Sequence, residues 1–271
     1  MAQKINSNLF RRSLQNSEWN YKFQGLNKEE VSLFTYKSVK IEKFIVNLFR
    51  YHSLLVTTFK LDFSKTQLQI CISFLKSPSH KKLKSKQKTQ KYICTYLTKK
   101  FLITIFKNYY NTKINVKLKD ITKVFEDNLM KYKPARLEYR KVLKKLKRFK
   151  SFPDFLVICK IIFVVLINKK SSRLLGNIIS YLISNQKKNH YYILAFIKNV
   201  LAILIKSKLS EVSGIKIKIS GRLNGFSRSK SRFITIGNLP IQSLNSNIDY
   251  SEAKAYTQNG TFGIKTWISE K

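Results

Sequence analysis

The chain has 271 residues, of which 53 are Lys or Arg and only 14 are Asp or Glu, so its formal net charge is +39. The length allows one large or two modest domains, and a hydrophobic content of 44% excludes a wholly disordered chain. A charge this positive favours nucleic acid as the partner, because cationic side chains gain affinity by displacing counterions from phosphates. An A/T-biased genome would explain the preference for Lys over Arg but not the scarcity of acidic residues.

The cysteines and histidines do not indicate a metal or catalytic centre. Cys71, Cys94 and Cys159 are odd in number and far apart, and the three histidines are equally scattered. This pattern fits neither a disulfide framework, nor a zinc site, nor a Cys–His nucleophile. No glycine spacing fits the phosphate-binding loop of a nucleotide enzyme. The sequence therefore predicts a protein that is not an enzyme and that has no metal and no cofactor.

In the first half of the chain, residues 1–30 are polar and basic and are predicted to form an extended arm. From Ser38 to Tyr51 apolar residues recur at helical spacing, which predicts an amphipathic helix. Alternation predicts strands at 68–74 and 114–118, with a second helix between them at 92–109. The order helix, strand, lysine-rich loop, helix, strand defines a first domain at 31–119.

Residues 120–168 differ in composition from the segments on either side and are predicted to be a basic insertion or linker. The stretch "RKVLKKLKRFK" (140–150) is either a basic helix lying on nucleic acid or a solvated linker. The apolar run Phe155–Ile167 is too short to cross a bilayer, which needs about 20 residues, so a buried helix or strand is predicted.

The last segment, 169–271, is predicted to be an α+β domain in which two helices pack on a four-stranded sheet. The helices are predicted at 171–184 and 190–207. The predicted strands, which are separated by turn residues, are 215–219, 232–236, 244–256 and 262–268.

Basic side chains follow the first two of these strands with a period of two. Lys216 and Lys218 alternate with isoleucines that point into the core, Arg222 follows at the turn, and "FSRSKSR" gives a second basic strand face. This pattern favours RNA binding over an ordinary exposed strand. The carboxylates of Asp249 and Glu252 are interpreted as structural, pairing with Lys254 or Arg222, because no histidine lies nearby.

Three segments carry a resemblance to a known family: "GIKIKISGRLNG", "GNLPIQSL" and "NIDYSEAKAYTQNGTFGIKTWI". In order and spacing, residues 214–268 resemble the C-terminal domain of bacterial-type small ribosomal subunit protein 3, and the N-terminus around Asn8 and Trp19 also resembles that family. The resemblance implies a type II KH domain in the first half, a fold that clamps single-stranded nucleic acid through a GxxG loop. Here the corresponding loop, "KSPSHKKLKSKQK", has no glycine, so a degenerate KH-like domain is expected.

The family's function implies a structural constituent of the small-subunit head, bound to ribosomal RNA near the point where messenger RNA enters the channel. Ribosomal RNA, messenger RNA and the neighbouring small-subunit proteins 10 and 14 are the expected partners, with no membrane. Ile193 and Leu194 align with an arginine pair of the family's messenger-facing helix, which puts messenger unwinding in question. Asn238 and Asn245 align with two further family arginines.

The predicted RNA-binding residues are basic or polar and come from the arm, the lysine-rich loop, the second C-terminal helix and its preceding loop, and the C-terminal strands and turns. They are Gln3, Lys4, Arg11, Arg12, Lys81, Lys82, Lys84, Lys86, Lys187, Lys188, Lys198, Lys216, Lys218, Arg222, Arg228, Lys230, Arg232, Lys254 and Lys265.

The bacterial-type pattern, the A/T-biased composition and the lack of an evident transit peptide favour synthesis inside an organelle, with the mitochondrion as first choice and the plastid as second. Two alternatives share the charge. One is a free organellar RNA-binding protein outside the ribosome, and the other is a basic protein lying on a membrane surface through Phe155–Ile167 and its flanks.

Overall fold

The computed structural model describes residues 6–8, 20–23, 27–52, 54–63, 67–76, 100, 103–104, 113–121, 133–149, 155–165, 171–185, 189–207, 210 and 212–270. These residues divide into two compact units. One lies within Glu18–Val124, and the other within Met1–Ser17 and Phe125–Lys271. Five helices and two four-stranded sheets make up the described structure, which confirms the α+β class.

The first unit is a four-stranded sheet with one long helix on it. In chain order its elements are β1 (Tyr21–Phe23), α1 (Lys28–Tyr51), β2 (Leu54–Phe63), β3 (Gln67–Lys76) and β4 (Lys113–Asp120). The sheet order is β1-β2-β3-β4, with β2 and β3 antiparallel and the two outer pairs parallel.

Alternation and helical spacing explain the core of this unit. Leu68, Ile70 and Ile72 of β3 are at most 1% exposed and lie on one face of the sheet. On α1 the core-facing positions recur every three or four residues, among them Ile41 and Ile45, and pack on that sheet.

The structure of this unit departs from the sequence predictions in three places. The helix predicted from Ser38 begins at Lys28, and the strand β2, Leu54–Phe63, was not predicted at all. Residues 21–23 of the predicted extended arm form a short strand parallel to β2. Of the helix predicted at 92–109, only residues 100, 103 and 104 lie within the described chain, and they are helical.

The second unit is built around an antiparallel sheet with the order β6-β5-β8-β7. Its elements are α2 (Lys133–Lys145), α3 (Phe155–Val164), α4 (Ser172–Asn185), α5 (His190–Ile205), β5 (Val212–Gly221), β6 (Lys230–Gly237), β7 (Ile248–Thr257) and β8 (Gly260–Glu270). Helix α4 packs on β7 and β8, and α5 packs on β5 and β6, so both helices cover one face of the sheet. The predicted two helices on a four-stranded sheet are therefore confirmed.

The segment between the predicted domains also packs into this unit. Phe149 follows the basic helix α2, is buried, and contacts Phe196 of α5 with ring centroids 5.4 Å apart. Phe155 at the start of α3 contacts the same ring at 5.9 Å. The stretch 140–149 is thus anchored by apolar side chains, while Arg140, Lys141, Lys144, Lys145 and Lys147 are exposed. The predicted buried run at 155–167 is a helix over Phe155–Val164.

Candidate nucleic-acid interface

The sheet of the second unit has one face packed under helices and one open face, and β5 distributes its side chains between them. Ile215, Ile217 and Ile219 are at most 1% exposed and point toward the helices. Lys216 and Lys218 alternate with them, so they lie on the open face and are partly exposed. The predicted arrangement of these five residues is the one observed.

Aromatic rings flank these lysines on both neighbouring strands. On β6, Phe233 lies opposite Lys218, and on β8, Trp267 lies opposite Lys216. The Lys216 Nζ atom is 5.9 Å from the centroid of Phe233 and 5.8 Å from that of Trp267, and the Lys218 Nζ atom is 5.3 Å from Phe233. These distances are within the range of cation–π attraction. The open face therefore combines cationic heads with aromatic faces.

The open face also carries a hydrogen-bonded ion pair, between Lys265 on β8, opposite Lys218, and Glu252 on the edge strand β7. Lys265 Nζ lies 3.0 Å from Glu252 Oε1, and the Tyr250 hydroxyl donates to the same carboxylate. The hydrogen bond from Tyr250, followed by that from Lys265, lowers the pKa of Glu252. Burial, with the carboxylate as a second cause, raises the pKa of Tyr250. Glu252 pairs with Lys265 rather than with the predicted Lys254 or Arg222, and Lys265 is thereby partly neutralised.

The turn "SGRLNG" between β5 and β6 is clamped to a helix. Asn224 has left-handed backbone angles (φ 55°, ψ 21°), and its side-chain Oδ1 accepts the backbone N–H of His190 at 2.8 Å. In return the backbone N–H of Asn224 donates to His190 Nδ1 at 3.0 Å. The turn therefore caps the N-terminus of α5, whose own N-cap residue, Asn189, makes no side-chain capping bond. Arg222 is exposed beside it, with its Nε donating to the Phe226 carbonyl at 3.1 Å.

The second predicted basic face does not join the first. Arg232 lies opposite Ile219 and Lys230 opposite Gly221, so both extend toward the helix-covered side of the sheet. The Arg232 guanidinium lies 5.4 Å from the centroid of Tyr191 on α5, and Lys230 Nζ lies 5.2 Å from Phe226. Arg228 is exposed in the preceding turn. The basic side chains of β5 and those of β6 thus lie on opposite faces of the sheet.

A third set of predicted residues lies on α5 and at the end of β7. Lys198 and Lys254 are exposed, whereas Ile193 and Leu194 are buried in the core. The two positions predicted to align with an arginine pair of the family are thus core positions in this chain. Asn238 and Asn245 are both exposed.

The remaining predicted RNA-binding residues lie outside the described residues, and their contributions stay predictions. They are Gln3, Lys4, Arg11, Arg12, Lys81, Lys82, Lys84, Lys86, Lys187 and Lys188.

A short N-terminal piece docks on the edge strand of the same unit. Asn8 Nδ2 donates to the Tyr250 carbonyl at 3.0 Å, and Asn8 Oδ1 accepts the Tyr250 N–H at 2.9 Å. Asp249 beside it accepts the backbone N–H of Ser172 at 2.7 Å, which caps the start of α4. The structural role predicted for Asp249 is therefore a helix cap.

Sequence reasoning missed the aromatic members of the open face. Phe233 is 55% exposed and Trp267 partly exposed, although both belong to strands that were predicted from their alternation. The available signal was the same period of two: both rings stand at positions that alternate with buried isoleucines, as the lysines of β5 do.

A family model matches part of this unit. The family model described as "Ribosomal protein S3, C-terminal domain" matches residues 192–268, which run from the first turn of α5 to near the end of β8. Residues 192–268 are therefore similar to the C-terminal domain of ribosomal protein S3. The resemblance noted in the sequence is thereby confirmed for the part of the chain that holds the open face.

Curated relatives also match part of the chain. The small ribosomal subunit protein uS3c of Guillardia theta is 36% identical over 93 residues, which cover 34% of this chain and 42% of that protein. The uS3c protein of Chara vulgaris is 47% identical over 62 residues, covering 23% and 28%. The uS3 protein of Fusobacterium nucleatum is 46% identical over 67 residues, covering 25% and 31%. The chain thus spans less than half the length of each of these relatives, all of which are named as ribosomal proteins rather than enzymes.

Within the described residues, no group of three or more His, Cys, Asp or Glu side chains is placed to hold a metal ion. Among the helices of those same residues, none has the length and apolarity required to cross a membrane.

Proposed function

We propose that this chain is a structural, RNA-binding constituent of a small ribosomal subunit and has no catalytic role. The observation that carries the proposal is the ribosomal protein S3 C-terminal domain, whose open sheet face presents Lys216 and Lys218 beside aromatic rings. Its mechanism is electrostatic: basic side chains neutralise ribosomal RNA phosphates and so fix the position of the protein on the RNA.

The finer assignments are also part of the proposal. We place the protein in the head of the subunit, near the point where messenger RNA enters, with ribosomal proteins 10 and 14 as neighbours. The first unit supports a degenerate KH-like fold, because α1, β2, β3 and β4 follow one another with β3 and β4 parallel. The glycine-free loop between β3 and β4 would then bind RNA through lysines rather than through a backbone clamp.

The buried positions of Ile193 and Leu194 bear on messenger handling. An arginine pair at these two positions would have to leave the core to reach RNA, since both side chains are enclosed. Lys198 is exposed and is the member of that helix available to a phosphate. We therefore propose that the protein contributes little to messenger unwinding through α5.

For location, we propose the ribosome of an organelle. The uS3c relatives are plastid-type and the Fusobacterium relative is bacterial, which supports a bacterial-type ribosome and weighs at least as much for a plastid as for the mitochondrion first favoured from the sequence.

Sedimentation of organelle lysate at high salt tests the proposal. The protein should co-migrate with the small subunit, and purified plastid and mitochondrial fractions should separate the two locations. Recovery as a light soluble species would favour the free RNA-binding protein, and recovery with membranes would favour the surface protein. Either result would refute the ribosomal assignment.

A substitution series tests whether RNA binding depends on the lysines of the open face or only on the total positive charge. Lys216→Gln with Lys218→Gln should lower the affinity of the purified full chain for small-subunit RNA and reduce the slope of log affinity against log salt by about 1 to 2. The matched control is Lys37→Gln with Lys43→Gln on α1, which removes the same charge from the other unit. Equal losses for the two pairs would show that only total charge matters.

A further inference from the structure

The open face of the C-terminal sheet carries more than positive charge, and its aromatic residues call for an explanation. Phe233 is 55% exposed although it stands in the middle of β6, where the neighbouring Ile234 is buried. Trp267 is partly exposed on β8 and contacts Tyr250, with ring centroids 5.1 Å apart. Phosphate binding alone would require the lysines and not these rings.

The register places the two rings apart from each other. Phe233 and Trp267 stand on the two strands that flank β5, opposite Lys218 and Lys216 respectively. Two inter-strand spacings (about 10 Å) and a two-residue offset along the strands (about 7 Å) separate their backbones by about 12 Å, so the rings form two contact points rather than one stacked pair. Lys216 lies between them, within 6 Å of both centroids.

We propose that this open face is a stacking platform for unpaired RNA nucleotides, with Phe233 and Trp267 contacting bases and Lys216 and Lys218 contacting the adjacent phosphates. This inference rests on the proposed RNA-binding function and deepens it by naming the class of RNA. A base in a duplex hides its faces in the helical stack, whereas an unpaired base can lie flat on an aromatic ring.

The charges of the face favour RNA over a protein as the occupant. Lys216 and Lys218 are not paired with a carboxylate in any contact of the described residues, while Glu252 on the edge strand is engaged by Lys265. A protein partner would have to supply acidic groups that match two lysines and leave room for two rings. Unpaired RNA supplies phosphates and bases in alternation along one strand.

Tryptophan fluorescence provides a direct test. The chain has two tryptophans, so the full-length Trp19→Phe variant reports on Trp267 alone. We expect a 12-nucleotide oligouridylate to quench Trp267 saturably, and a duplex of the same length to bind through charge without that quenching. A single strand that binds without changing the Trp267 signal would overturn the platform.

A second variant tests Phe233. Phe233→Leu should weaken oligouridylate binding by roughly 5- to 100-fold while leaving duplex affinity unchanged, because stacking on one ring is lost. Phe233→Tyr keeps the ring and should restore affinity. Tyr51→Leu removes an exposed ring of the other unit, which is 87% exposed, and should have no effect. Because Phe233 is half exposed, its replacement should disturb the core little. Thermal unfolding of the Phe233 variants checks that they are folded.

The two levels of the proposal fail differently. If Phe233→Leu binds single strands as tightly as the parent while the protein still co-sediments with the small subunit, the stacking platform is wrong and the ribosomal function stands. If the parent protein binds neither the single-stranded oligouridylate nor the duplex, and sediments as a free protein, the proposed function itself fails. Cross-links that join the Phe233 strand only to a ribosomal protein within isolated subunits would also overturn the platform.

Discussion

The clamp between the "SGRLNG" turn and helix α5 makes a quantitative prediction about stability. Asn224 adopts left-handed backbone angles and accepts the His190 N–H at the start of α5. In Asn224→Ala, both features are disturbed. Loss of the capping bond costs about 0.5–2 kcal/mol, and an alanine in left-handed conformation costs about a further 1–2 kcal/mol, because its Cβ crowds the following carbonyl oxygen.

We therefore expect Asn224→Ala to lose about 1.5–4 kcal/mol, whereas Asn224→Gly should lose about 0.5–2 kcal/mol, since glycine tolerates the backbone angles and only the capping bond disappears. For a unit of this size the fall in Tm is roughly 3–16 °C for Asn224→Ala and roughly 1–8 °C for Asn224→Gly. Asn224→Asp is the matched control. It keeps an acceptor oxygen, and its negative charge suits a helix N-terminus, so its Tm should stay near that of the parent.

Thermal unfolding followed by circular dichroism at a fixed salt concentration measures the series. Three Tm values equal to that of the parent would refute the clamp. Equal losses for Ala and Gly, with Asp unchanged, would retain the capping bond but refute the contribution of the left-handed backbone.

Two further predictions concern buried or capped groups. Asp249→Ala should lower stability by about 1–2 kcal/mol through loss of the cap on α4, with Asp249→Asn losing less, and coincident urea midpoints for all three proteins would contradict this role. Burial raises the pKa of the Cys159 thiol to about 12, so in a Cys71→Ser, Cys94→Ser variant the folded protein should resist thiol reagents at pH 8 and react only on unfolding. Because that pKa lies above its ordinary value of 9.0, the associated stability is retained below about pH 9 and is lost as pH rises toward 12.

The C-terminal sheet was predictable because its strands are amphipathic. Buried isoleucines alternate with lysines in Ile215–Ile219, and a strand is the conformation that places them on opposite faces. The first unit was harder for the opposite reason. The first turns of α1 bury only Phe34, so they lack an apolar stripe, although Glu29 and Glu30 at the helix start were a usable signal. Strand β2 carries a register irregularity between Val56 and Thr58 that breaks its alternation.

The alternation of side chains within a strand could not predict which face of β5 lies beside which face of β6. Alternation shows that Lys230 and Arg232 share a face, and likewise Lys216 and Lys218, but it does not relate the two pairs. That relation depends on the pairing register across the turn, and a shift of one residue exchanges the two faces of a strand. The observed register places Lys218 opposite Phe233. It therefore brings an aromatic ring to the lysines and moves the basic residues of β6 to the other side.

The acidic residues of the C-terminal domain explain why its open face stays positive. Between residues 212 and 270 there are three carboxylate side chains, and each is held within the fold: Asp249 caps α4, Glu252 pairs with Lys265, and Glu270 accepts a hydrogen bond from Asn247. None of these contacts involves Lys216 or Lys218. A general lysine enrichment would place charge without regard to partners. Here the few carboxylates are engaged at a helix cap and at the sheet rim, and the two central lysines remain available to phosphate, which is the distribution that an RNA-binding sheet requires.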